Sequence, residues 1–272
     1  HMESKRLMLK TVHNNMTSYN GFKWKKRGIV TCPDWKDTAE CGNGLHGLPM
    51  GIGNSSFLLW NTSAKWIVFE ALGGYIELNG KAKCESAKVL FCGDRKGATD
   101  YLVKHGADIS KVVGAFQSGG DWSQLTGGDM SHLTGGEGSH LKGGDWSHLT
   151  GGKGSHLTGG DVSHLTGEEG SHLTGGEGSH LKGGDWSHLT GGKGSKLTGE
   201  MGSVLSGGKG SALIFLWWDG NCQRVVVGYV EKKGLLPNVK YRLSQNHQIV
   251  PVEETEVEQA AKAENSELRH ER

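Results

Sequence analysis

Eight of the chain's fourteen histidines recur at every eighth residue from His132 to His188, each preceded by Ser and followed by Leu. Neutral imidazole is a good ligand for zinc or nickel and titrates near physiological pH, so evenly spaced rings could share metal ions or act as a pH-sensitive column. A Thr closes most of these tetrapeptides, and hydroxyls held at a fixed spacing could order water. Ser next to His also invites a nucleophile–base reading. Which of these applies depends on where the backbone points each side chain.

The backbone pattern is an octapeptide close to Gly-Gly-Asp-Xaa-Ser-His-Leu-Thr, repeated twelve times without insertion from 119 to 214. Gly opens every copy, Ser holds position five and Leu position seven in all twelve. A fixed short period marks a chain that stacks one unit on itself. Ser-His-Leu-Thr alternates with strand periodicity, so Leu and Ser share the inward face while positions six and eight point outward. The Ser and His of one octad therefore never meet, and no nucleophile–base pair forms. Eight residues cannot enclose a core but sixteen can, with two short strands and two corners. The Gly-Gly pair is expected to supply the positive-φ freedom of the corner. About six coils, stacked ~4.8 Å apart, give a rod on the order of 29 Å long.

Sixteen-residue arithmetic then sorts the outward residues into two faces. The first carries His140, His156, His172 and His188 beside Thr126, Thr158, Thr174 and Thr190; the second carries His132, His148, His164 and His180 beside Thr134, Thr150, Thr166 and Thr198. Lys142 and Lys182 interrupt the Thr columns. Charged imidazoles at this spacing repel, so the columns are expected to have lowered pKa values and the rod to loosen between roughly pH 6.5 and 5. Metal binding by a His column remains a third reading, but no carboxylate or Cys completes a defined site, and no cofactor is expected. Position four is either Gly or a large residue (Trp122, Met130, Trp146, Val162, Trp186) expected to pack over the corner. Octads three to five recur as octads eight to ten, an offset of five octads, so the two faces must be nearly interchangeable.

Composition narrows the partners. Lys plus Arg number 30 against 29 Asp plus Glu, which leaves no net field to attract nucleic acid or an anionic membrane. Five cysteines without close pairing match neither a disulfide scaffold nor a zinc pattern and read as buried or free thiols. Gly-Gly-Lys-Gly at 151 and 191 lacks the strand–loop–helix context of a phosphate loop. No apolar run reaches the ~20 residues of a membrane span and no signal peptide is apparent, so a cytoplasmic or cell-surface-associated protein is expected. Residues 1–2 read as a cloning remnant.

The mainly β chain divides into an α+β domain (3–118), the solenoid (119–214), a β cap (215–252) and a charged tail (253–272). In the first, FLLW (57–60), KWIVFEAL (65–72) and KVLFCGD (88–94) read as strands and ATDYLVKHG as a helix; 43–50 reads as a ligand loop or a turn. In the cap, VVVGYV and KYRL read as strands around an Asp219-Gly220 turn, with Trp217 and Trp218 as core. The tail reads as a frayed helix or disordered segment.

GSVLSGGKGSALIFLWWDG resembles the last coil and C-terminal cap of the bacterial ice nucleation proteins, and the octads resemble that family's AGxxSxxT units. LKTVHNNM, NGLHGLPMGIGNSSFL, AKWIVFEA and CGDRKGATDYL resemble its N-terminal domain, so the resemblance runs from about Leu7 to Val252 in the family's order. It implies a non-enzymatic β-solenoid, self-association into oligomers or fibres, and contact with an ice–water interface. The chain departs from the family in three ways. The outward triplet is His-Leu-Thr in six octads and His-Leu-Lys in two, not Thr-Xaa-Thr; the array has about six coils, not dozens; and the Pro/Thr-rich linker is missing. SKLT at 195–198 resembles the family's basic, assembly-promoting coils. The combination points to a scaffold or macromolecule-binding surface with weak or absent ice nucleation, and ice nucleation through the Thr/His ladders is the alternative.

Overall fold

In a computed structural model that describes residues 5–253, the N-terminal strands are β1 (Leu7–Val12), β2 (Gly28–Thr31), β3 (Leu45–Pro49), β4 (Lys65–Leu78) and β5 (Lys81–Gly93), followed by α1 (Arg95–Lys104). They form one antiparallel sheet in the order β2-β5-β3-β1-β4, and β4 also pairs with β5, so four strands close on themselves. Alternation along β1 explains why two cores form. Met8 and Val12 turn to one side with Leu45, Ile67, Phe69 and Cys84. Leu7 and Leu9 turn to the other, with Leu48, Val68 and, from the covering helix, Ala98 and Leu102. The Asp94 carboxylate caps α1 by accepting from the Gly97 N–H at 2.8 Å.

Two local expectations fail in this domain. FLLW is not a strand: Ser55–Phe57 is a turn of 3-10 helix, held by the Asn54 side chain accepting from Ser56 N–H. The segment 43–50 is neither a loop nor a turn but mostly β3, whose backbone is satisfied between β1 and β5.

The rod follows with one strand per octad, from β7 (Gln124–Thr126) to β18 (Ala212–Trp218). Each octad strand pairs in parallel with the one sixteen residues on, as in His148↔His164 and His156↔His172. Alternate octads therefore build two separate sheets, and the sixteen-residue coil is the structural unit. Leu133 to Leu213 form the interior at no more than 2% exposure, joined by the position-five serines.

The stack begins earlier than the octads do. Residues 116–118 form β6, in register with 132–134. Gly114 N–H donates to Asp129 O just as Trp122 N–H donates to Glu137 O, which makes 111–118 a degenerate octad. Its Val112 and Val113 belong to the N-terminal core, so it welds that domain to the rod. At the far end β19 (Gln223–Tyr229) pairs antiparallel with β18, and β20 (Tyr241–Leu243) with β21 (Ile249–Pro251) closes the other sheet on β17 (Val204–Gly207). Within this cap Trp218 is 67% exposed rather than core. Leu213 and Phe215 take the inward alternation and leave Trp218 facing out, while Trp217 stacks on His247 at 3.5 Å. Except for Glu253, the tail 254–272 lies outside the described residues, as do residues 1–4.

Candidate functional site

Both outward faces are regular ladders. On one, the rings of His140, His156, His172 and His188 stack at 4.7–4.8 Å with planes within 10°. Beside them run Thr126, Lys142, Thr158, Thr174 and Thr190 in register. On the other face His132 and His148 stack at 4.6 Å, while His164 and His180 follow at 4.8 Å with tilted rings. Thr134, Thr150, Thr166, Lys182 and Thr198 accompany them. Seven of the eight histidines are exposed and His132 is half-buried.

The second ladder is capped at its start. The Arg95 guanidinium lies 4.3 Å over the Phe116 ring, and that ring packs on His132 at 4.9 Å. Burial, then Arg95, then His148 pull the His132 imidazole down to about 4. His148, His156, His172 and His180 are lowered as well, each first by burial and then by charged neighbours, mainly the next imidazole. For these five histidines the direction is the one ladder repulsion predicts, but desolvation of the rings is the larger cause. Among the described residues no group of three or more His, Cys, Asp or Glu converges as a metal site.

The corners that hold the ladders flat work differently from the expectation. The positive φ falls at position four, for Gly154 (+62°) and Gly194 (+67°) and equally for Trp122 (59°), Trp146 (58°) and Val162 (54°). The Gly at position one serves close packing: a Cβ on Gly151 would sit 2.3 Å from Ser155 Oγ and 2.7 Å from a Leu157 methyl. At position two a Cβ on Gly152 would lie 2.8 Å from the Glu137 backbone nitrogen of the preceding coil, although Glu168 and Glu200 show that a side chain can be accommodated at this position elsewhere in the stack. The large position-four residues do cover the corner, for a Cβ on Gly138 would enter the Trp122 ring and one on Gly202 the Trp186 ring.

Two further ladders escaped the sequence reading. Asp121, Asp129, Asp145, Asp161 and Asp185, at position three, each accept from the backbone N–H sixteen residues on, at 2.8–3.1 Å. No Glu at that position makes this bond among the described residues, because its longer stem carries the carboxylate past the N–H. The preference for Asp over Glu in the consensus was the available signal. Inside, the hydroxyls of Ser163, Ser179, Ser187, Ser195, Ser203 and Ser211 donate to position-two carbonyls nineteen residues back, at 3.0–3.2 Å. Buried hydroxyls are usually paired, and this ladder does so for the later coils, whereas the hydroxyls of Ser123, Ser131, Ser139 and Ser155 are buried without a partner among the described residues.

The protein is thus a capped octapeptide β-solenoid with two periodic outward faces. Residues 6–104 match a family model described as a domain of unknown function (DUF7666). The chain is 37% identical over 117 residues to an ice nucleation protein of Pseudomonas fluorescens, covering 40% of this chain and 10% of that protein. It is 38% identical over 109 residues to ice nucleation protein InaU of Pantoea ananas, 39% of this chain and 10% of the relative. An ice nucleation protein of Pseudomonas syringae is 40% identical over 107 residues, 38% of this chain and 9% of its own length. The chain spans about a tenth of the length of these curated relatives. No solved structure matches. Over these matched segments the chain is a relative of the bacterial ice nucleation proteins. Among the described residues no helix is long and apolar enough to cross a membrane.

Proposed function

We propose that this solenoid is a non-enzymatic scaffold that associates laterally through its His/Thr faces and nucleates ice weakly, and chiefly when assembled. The observation that carries the reading is the pair of in-register ladders at 4.6–4.8 Å on opposite faces. Two equivalent flat faces suit side-by-side packing of rods. At the C-terminal end both sheets are closed by antiparallel strands of the cap, which disfavours growth along the axis from that end. A rigid hydroxyl array orders water best when it is large and uninterrupted. Here bulky imidazoles stand beside the hydroxyls, and Lys142 and Lys182 break the Thr columns. A second reading, nucleation by the isolated rod itself, is favoured by the similarity to ice nucleation proteins.

Droplet freezing measured alongside particle size separates the two readings. The expected result is freezing close to that of buffer for monodisperse protein and warmer freezing for its large assemblies. Changing His140, His156, His172 and His188 together to Thr builds a Thr-Leu-Thr face and should raise the freezing temperature at constant particle size. Warm freezing by the monodisperse protein, with no response to the four substitutions, would rule out the scaffold reading.

A further inference from the structure

In the N-terminal domain a cleft opens beside β1 and β3, lined by Lys10, Tyr19, Cys41, His46, Phe57 and Lys81. Lys83, directly across the strand pair from His46, is fully buried, and its ammonium donates to the Glu40 and Gly42 carbonyls at 3.0 and 3.2 Å. Lys81 lies 4.2 Å over the Phe57 ring and 3.2 Å from Cys41 Sγ. Lys10 has no hydrogen-bond acceptor among the described residues, and its nearest aromatic contact is the Trp24 ring at 5.7 Å. None of these lysines takes part in an ion pair among the described residues. No carboxylate lines the cleft. Asp34, in the adjoining cleft, is engaged by the Asn43 amide and the Cys32 thiol.

Cations gathered in a partly buried cleft without counter-charge repel one another and lose hydration. A ligand that supplies the missing negative charge would bind there. We infer that this cleft binds a small tetrahedral oxyanion, inorganic phosphate or a phosphomonoester, between the ammonium groups of Lys10 and Lys81, with His46 adding charge when protonated. A second observation agrees. Burial, then Lys81, pull Lys10 down to about 8, and burial, then Lys81, Lys10 and Lys83, pull His46 down to about 4. The groups facing them are Lys10 from β1, Lys81 and Lys83 from β5, and Tyr19 and Cys41 from the loops. A bound oxyanion stabilises the protonated forms of both groups and raises both pKa values, so binding takes up protons and strengthens as pH falls.

Calorimetric titration of the whole chain at low ionic strength tests this, using sulfate, whose charge is constant from pH 5 to 8, and inorganic phosphate. The expected result is saturable one-site binding of both, with sulfate several-fold tighter at pH 5.5 than at pH 7.5. Lys10→Met should weaken binding at least tenfold. Lys81→Met, at a half-buried position, gives the same readout if circular dichroism shows Lys10→Met unfolded. His46→Asn should leave binding at pH 7.5 intact and flatten its pH dependence. Displacement by glycerol phosphate assigns the site to a free phosphomonoester. Co-sedimentation with vesicles of phosphatidic acid in phosphatidylcholine, but not phosphatidylcholine alone, assigns it to a lipid headgroup. The inference is overturned if neither anion binds saturably, or if both lysine variants bind as the unmodified chain does.

Discussion

Asp145 links three coils: its backbone N–H donates to Asp129 and its carboxylate accepts from the Asp161 N–H at 2.9 Å. An exposed charge-assisted bond of this kind contributes about 1 kcal/mol. Asp145→Glu should lose most of that amount, and Asp145→Asn, which keeps the acceptor in place, clearly less. Equal losses in chemical denaturation would mean that the position-three carboxylate is not a coil-to-coil tie. The histidines make a second residue-scale prediction. A base whose pKa is lowered by folding binds fewer protons folded than unfolded, so stability rises with pH across the interval between the two values. For His132 that interval runs from ~6.5 unfolded down to about 4 folded. Stability should therefore be full above ~6.5, fall as the solution is acidified through this window, and level off below it. NMR titration should find His132 the lowest of the ladder; a value at or above that of a free imidazole would refute the packing of Arg95 and Phe116 against it.

Within one coil, three glycine positions do three jobs, and mutation should separate them. Gly151→Ala drives a methyl into Ser155 and Leu157 and should cost roughly 1–3 kcal/mol, as overpacking does. Val162 is a β-branched residue at φ 54°, a conformation that costs L-residues roughly 1–2 kcal/mol. Val162→Gly should accordingly raise stability by about 1 kcal/mol, and a loss instead would show that its cover over the corner outweighs the strain. The sequence made the coil legible because Ser and Leu are invariant at positions five and seven, respectively, and the alternation is strict. It hid the corner because Gly recurs at positions one, two and four, so its presence does not mark the one that needs a positive φ. Trp122 or Val162 in place of Gly looked like a packing choice, not a left-handed backbone. β1 was missed for a related reason: LMLKTV is apolar toward two cores at once, so the alternation that betrays a half-buried strand is absent. The outward ladders could be read by arithmetic, whereas the Lys10 cleft could not, since Lys10, His46 and Lys81 come together only when β1, β3 and β5 pair.

At the scale of the whole molecule, the rod joins two different ends. The degenerate octad at 111–118 fixes the N-terminal domain to one sheet through β6, and the C-terminal hairpin is fixed to the last octads. Removing 151–166 deletes one full coil and should only draw the ends together by ~4.8 Å. Removing 151–158 deletes half a coil, so every remaining octad still finds a partner but the C-terminal end turns to the opposite side of the rod. Probes on Cys41 and Cys222, both exposed free thiols, should report a small change in separation for the first deletion and a reorientation for the second; identical distances in both would contradict the two-octad unit. The five-octad offset of the internal duplication acquires a meaning from this. Any odd insertion keeps the octad stacking yet turns one end relative to the other, like a bolt tightened by half a turn. An array of this design counts in ones when it folds and in twos when it must aim.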